Sequence, residues 1–227
     1  MPAGDNLQRL RAFPRAPAPN NDASVVKSNL SKEEIELQQN ILAYHVAHHP
    51  DSAIFGNTQA KGLKVLEIYV RPRREELREG SSASGQKTHQ LPGSDSLKRA
   101  RPDDLEGFTV CEAVVEEGML NVHGTLAGAC AMLLVDIVTF SCLFALGTVV
   151  NIDPSGFTTS VNLVWHNAAM PGRVLRFVST SLSLKPRMGV ARCEVYDKAT
   201  GRLLISGTQI MTPIQAPKAV ANQRAKM

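Results

Sequence analysis

The chain has 227 residues, 43% of them hydrophobic, and a formal net charge of +4. That hydrophobic fraction is ample for the core of one large domain or two small ones. The mild positive charge suits an anionic ligand but excludes the dense basic stripe of a dedicated nucleic-acid binder.

In chain order, residues 1–29 are rich in Pro, Asn and Ala and are expected to be disordered. They hold no apolar stretch of the kind a secretory signal needs. Arg9, Arg11 and Arg15, with no acid between Asn6 and Asn21, fit an organellar transit peptide, whereas the prolines of RAFPRAPAPNND oppose a presequence helix. The reading is therefore cytoplasmic, with a mitochondrial destination left open. Residues 30–60 hold a helix and a linker. Ser31 is the expected N-cap, acids follow in the first turn, and Ile35, Leu37, Ile41, Leu42 and Val46 form the apolar stripe up to Pro50.

The segment 61–215 reads as one domain. GLKVLEIYV (62–70) is a strand, and 73–104 is a Ser/Gly/Lys/Arg-rich insertion expected to be mobile. FTVCEAVVEE (108–117) is the next strand. Four more follow a long apolar run: SVNLVWH (160–166), VLRFVSTSLSL (174–184), GVARCEVY (189–196) and RLLISGTQIM (202–211). Residues 216–227 are expected to be a disordered tail. Two strands, one apolar helix and four strands imply an α+β fold in which an antiparallel sheet of about six strands wraps one central helix. The four cysteines, Cys111, Cys130, Cys142 and Cys193, show neither CxxC nor metal-ligand spacing, so they are expected reduced and buried in an intracellular protein with no metal site.

The apolar run 126–150 is long enough to span a bilayer. Asp136 near its middle, the lack of flanking Lys or Arg and the strand-rich remainder favour a helix buried in protein, with no membrane span. A carboxylate there needs a partner or a purpose. A bond to Thr139 or Ser141 would supply a structural reason. With Thr125 as N-cap, Leu126, Ala127 and Gly128 form a first turn whose N–H groups lack intrahelical acceptors, a ready site for an oxyanion. Gly128 has no Cβ to obstruct it, although Gly124 and Gly128 also fit simple close packing. Eight residues separate Gly128 from Asp136, about 12 Å along a helix, too far for both to reach one reacting atom. Two copies packed antiparallel bring Gly128 of one against Asp136 of the other. If both residues are catalytic, the protein is at least a dimer.

Asn121, Gly124, Gly128 and Asp136, in the pattern N-x-x-G-x-x-x-G-x-x-x-x-x-x-x-D, resemble the hotdog-fold acyl-CoA thioesterases. The similar branch holds the phenylacetate-pathway enzymes and the small eukaryotic acyl-CoA thioesterases. EEGMLNVHGTLAGA, the SVNLVW strand and YDKATGRLLISG carry the resemblance from about residue 62 to 214. It implies a homodimer or homotetramer hydrolysing a fatty or aryl acyl-CoA, with coenzyme A as part of the substrate and no separate cofactor. In that scheme the Gly128 N–H polarises the thioester carbonyl, and Asn121 holds the loop or orients the carbonyl. Asp136 from the partner chain is general base or nucleophile, and Thr158 positions the water. Lys185 and Arg187 meet the nucleotide phosphates, or are simply an exposed charged turn.

One departure stands out. The family usually has His-Gly-Gly at the helix start, and this chain has Ala127-Gly128-Ala129. His123, four residues earlier, reads as a solvated loop residue. The alternative function is therefore a non-catalytic acyl-CoA binding or scaffold protein. His45, His48 and His49 end a helix without a metal pattern, His89 lies in the insertion, and His166 sits at a strand end. LKRAR (97–101) reads as a solvated loop, so no nucleic-acid partner is expected.

Overall fold

The computed structural model describes residues 5–49, 52–73 and 91–214. In order these form α1 (Gln8–Arg11), β1 (Lys27–Ser28), α2 (Lys32–Val46), α3 (Asn57–Ala60), β2 (Lys64–Pro72), α4 (Ser94–Leu97), β3 (Leu105–Val114), α5 (Gly128–Thr139), α6 (Ser141–Val150), β4 (Gly156–Trp165), β5 (Val174–Lys185), β6 (Met188–Asp197) and β7 (Leu203–Pro213). One seven-stranded sheet runs β1-β2-β3-β5-β6-β7-β4 and encloses the central helices. All its pairs are antiparallel except the short parallel β1–β2 contact. The strands follow from alternation: Leu175, Phe177, Ala191, Cys193 and Val195 turn inward and are at most 1% exposed. On the outer face, Arg176 bridges Glu67 at 2.9 Å and Glu112 at 3.2 Å.

The central apolar run forms the expected long helix, Gly128–Val150, with its ladder interrupted once, so that it divides into α5 and α6. They meet at Phe140, whose backbone stays helical at φ −71° and ψ −18°. Hydroxyls crowd this junction. Thr139 Oγ1 donates to the Val135 carbonyl and Ser141 Oγ to the Val138 carbonyl, each at 2.6 Å. Such back-bonding competes with the helix ladder and loosens it locally. Neither hydroxyl meets Asp136, so the structural reason expected for that carboxylate is not the one found. The run Gly128–Val150 is long and apolar enough to cross a membrane, but 72% of an 18-residue stretch of it is buried within the folded chain. The sheet reaches it closely at Gly107, where an added Cβ would fall on the Cys142 carbonyl oxygen.

α2 closes the open side of α6. Its start is the expected capping box: Ser31 Oγ accepts from Glu34 N at 3.3 Å, and the Glu34 carboxylate accepts from Ser31 N at 2.9 Å. Gln38 donates to Thr148 in a buried bond of 2.6 Å. The His45 ring lies 4.7 Å from Phe140 and 5.7 Å from Phe144. Burial pushes its imidazole below the ordinary value of 6.5, with the Ile41 carbonyl and the Asp136 charge acting against that shift.

Two expectations about order fail. Residues 5–29 pack rather than dangle. Leu7 and Leu10 are 2% and 1% exposed, Phe13 stacks on Tyr44 at 4.1 Å, and Arg9 pairs with Asp153 at 3.0 Å. Two leucines three apart on one turn suffice to anchor a segment whose composition looks unstructured. Of the insertion, 74–90 lies outside the described residues, but 91–104 is docked: α4 buries Leu97, and Asn29 donates to the Pro92 carbonyl at 2.7 Å. The tail 216–227 also lies outside the described residues. Cys111, Cys142 and Cys193 are free and buried, while Cys130 is only half-buried. Burial raises the thiols of Cys111 to about 12 and Cys193 to about 11.

Candidate active site

α5 begins at Gly128, with Ala127 as its N-cap rather than Thr125. The reason lies in the preceding loop. Leu126 N donates to the Ala169 carbonyl at 2.9 Å and Ala127 N to the Met119 carbonyl at 2.8 Å, so both residues stay extended. Thr125 Oγ1 is instead taken by Asn121 Nδ2 at 3.0 Å. Asn121 Oδ1 accepts from His123 N at 2.9 Å and Thr125 N at 3.3 Å. Gly124, at φ +71°, closes the turn in the left-handed region. Asn121 thus fastens the loop, and exposed His123 is part of the turn rather than of the cleft.

The N–H groups of Gly128, Ala129 and Cys130 now form the first helical turn, without intrahelical acceptors. Gly128 and Ala129 are exposed. A Cβ on Gly128 would meet only the Trp165 ring, at 3.8 Å. Gly128, Ala129, Met132, Leu133 and Asp136 form one stripe of α5 and floor a cleft of about 680 Å³, walled by Phe55, Val161 and Trp165. One end of this cleft offers backbone donors at a positive helix terminus, and the other offers a carboxylate. A second cavity of about 440 Å³ beneath residues 19–25 has one carboxylate in its lining, Asp22, which the Ser24 N–H and hydroxyl already hold at 2.8 and 2.6 Å.

Asp136 has two hydrogen-bond partners. The Thr158 hydroxyl donates to its Oδ1 at 2.8 Å, and Gln209 Nε2 donates to the same oxygen at 2.6 Å. Thr158 reaches it because β4 carries a bulge. Thr158 pairs with Met211 and Ser160 with Ile210, leaving Thr159 unmatched. The extra residue puts Thr158 on the same face as Val161, Leu163 and Trp165, where an unbroken strand would point it away. Thr158, expected on resemblance alone, is therefore brought to the carboxylate.

Gln209 was not anticipated. It is 1% exposed on the inward face of β7, between Gly207 and Met211. An amide on the apolar face of a strand is the sequence signal that marks it, since a buried polar group demands partners. Lys185 ends β5 and Arg187 lies in the β5–β6 turn, three strands from β4 and so about 14 Å across the sheet. Lys185 Nζ is held by both Asp103 oxygens, at 2.5 and 2.6 Å, and Arg187 is exposed. Among the described residues, no three His, Cys, Asp or Glu side chains cluster as a metal site would require.

No family model matches the chain, and no curated protein matches it in sequence. Solved structures resemble it in fold. Zebrafish thioesterase superfamily member 2 is 21% identical over 76% of this chain and 93% of its own, with a TM-score of 0.50. The mouse thioesterase superfamily member 2 is 18% identical over 78% and 96%, at 0.49. A hypothetical thioesterase from Streptococcus pneumoniae, solved with coenzyme A, is 19% identical over 48% and 80%, at 0.42. At 21% identity the likeness to the zebrafish protein concerns the fold alone: a curved sheet around a central helix.

Proposed function

We propose, from the hotdog fold that this chain adopts, that it hydrolyses acyl-CoA thioesters of fatty or aryl acids at a site shared between two subunits. The observation that carries this reading is one cleft with free N–H groups at Gly128 and a carboxylate at Asp136, about 12 Å apart on the same helix. That spacing rules out joint action within one chain and suits an antiparallel partner. β4 supports the pairing: it ends the sheet, with Phe157 and Val164 57% and 50% exposed on its outer face, while Trp165, 48% exposed, lines the cleft with Met132 at 38%. An open edge with an apolar flank is suited to a second copy of itself.

In this reading the thioester carbonyl oxygen accepts from Gly128 N–H, which draws charge off the carbon as the tetrahedral intermediate forms. Asp136 of the partner subunit takes a proton from water, and the water oxygen bonds to the carbonyl carbon. The C–S bond then breaks and the coenzyme A sulfur leaves, receiving that proton. Direct attack by Asp136 through an acyl anhydride is the other route open to the same geometry. Lys185 and Arg187 serve the nucleotide phosphates, which requires Lys185 to exchange Asp103 for phosphate.

A cleft without an imidazole favours a second reading, an acyl-CoA binding or scaffold protein. One assay separates them. Wild type and Asp136→Asn are compared over short, long and aromatic acyl-CoA esters. Hydrolysis by wild type, reduced about 10²–10⁴-fold in the variant, is expected of a general base. Equal rates overturn the role of Asp136, and tight binding without turnover leaves the scaffold reading.

A further inference from the structure

We propose that Gln209 is the positioning residue of Asp136, binding Oδ1 to the protein and reserving Oδ2 for the reaction; this rests on the hydrolase reading of the cleft. Gln209 Nε2 lies 2.6 Å from Asp136 Oδ1, 3.2 Å from the Asp136 carbonyl oxygen and 2.9 Å from Thr158 Oγ1. The Thr158 hydroxyl donates to the same Oδ1 at 2.8 Å, so it accepts from Gln209. Both side-chain donors therefore converge on one carboxylate oxygen. Among the described residues, none meets Oδ2.

The terminal torsion of an aspartate is soft, so a carboxylate held only by its stem rotates broadly. Two donors on one oxygen choose a single orientation. The amide is itself oriented by chemistry: turned over, its oxygen would face a carboxylate and a carbonyl. The fold accepts a cost for this arrangement, because Gln209 Oε1 is buried with no hydrogen-bond partner among the described residues. A methionine or leucine would fill the same inward position of β7 without leaving an acceptor unmet. An uncompensated polar atom beside the one carboxylate of the cleft points to selection for the N–H rather than for packing.

Gln209→Met keeps the volume and removes the donor. Its kcat is expected to fall about 30-fold, while KM changes by less than about twofold, because orientation is lost and binding is not. In the Asp136→Asn background the same substitution is expected to add nothing, since its effect runs through that carboxylate. Full kcat in folded Gln209→Met, or an equal additional loss on top of Asp136→Asn, overturns the proposal. A readout independent of turnover covers a variant that does not fold and a wild type that hydrolyses no thioester. In ¹⁵N-labelled protein, the Gln209 side-chain amide signals are expected to move on Asp136→Ala, and unmoved signals overturn the contact. Absent wild-type turnover with moving signals overturns the hydrolase reading and the catalytic purpose of Gln209, while leaving its hold on Asp136 established.

Discussion

α5 and α6 come from one apolar stretch, yet nine of the ten residues of α6 are buried against six of the twelve in α5. α6 is enclosed by the sheet and roofed by α2. α5 runs out beside β4, the last strand of the sheet, and there its stripe from Gly128 to Asp136 meets solvent. Hydrophobic composition alone therefore does not distinguish a helix that stabilises from one that presents a site. Position relative to the sheet edge does.

The comparison breaks if changes in the exposed stripe cost stability or changes in α6 leave it untouched. The largest effect is expected from Gly128→Pro. Proline suits the first helical position, Ala127 already has the extended φ −65° and ψ 136° that a residue before proline needs, and the helix loses no bond. The variant should melt within a few degrees of wild type on a scan and lose about 10²–10³-fold in kcat, the effect of deleting one oxyanion donor. Leu143→Ala, at a site 0% exposed in α6, should do the reverse: about 3 kcal/mol of stability lost in urea titration, with the site still formed in the folded fraction.

Co-expressing Gly128→Pro with Asp136→Asn sharpens the picture of α5. Each variant alone should keep about 1% of activity or less, but half of randomly paired dimers should carry one intact site, so about one quarter of wild-type activity should return. No recovery would place both residues in the service of one chain. The smallest effect concerns the roof of α6. His45 is held below 6.5 chiefly by burial. The unfolded chain therefore binds more protons as pH falls through that value, and the contribution of neutral His45 is present above it and lost below. His45→Phe should show a smaller drop in melting temperature between about pH 7.5 and pH 5.5 than wild type does.

Much of this architecture is visible in local patterns. The alternation of β5, β6 and β7 gives their spans to within two residues, and Ser31 with Glu34 gives the start of α2. Other features follow from contacts that no local pattern encodes. Thr125 reads as a cap, but Asn121 takes its hydroxyl and distant carbonyls of Met119 and Ala169 hold the next two residues extended. Thr139 and Ser141 read as partners for Asp136, but helix carbonyls inside the same run claim both. Leu7 and Leu10 read as part of a disordered segment, since two apolar residues on a single turn are too few to show a period.

The chain's own order settles that a backbone donor and an acid lie eight residues apart on one apolar helix, because helical rise and period are local properties. It also settles the six longer strands β2–β7, for the same reason, but not the two-residue β1, which lies in the segment expected to be disordered. Which stripe of that helix stays open, that Thr158 turns inward, and that Gln209 meets Asp136 were decided only in three dimensions. Each depends on a sheet edge, a bulge or a cross-strand neighbour, and strand register joins residues that the sequence holds tens of positions apart.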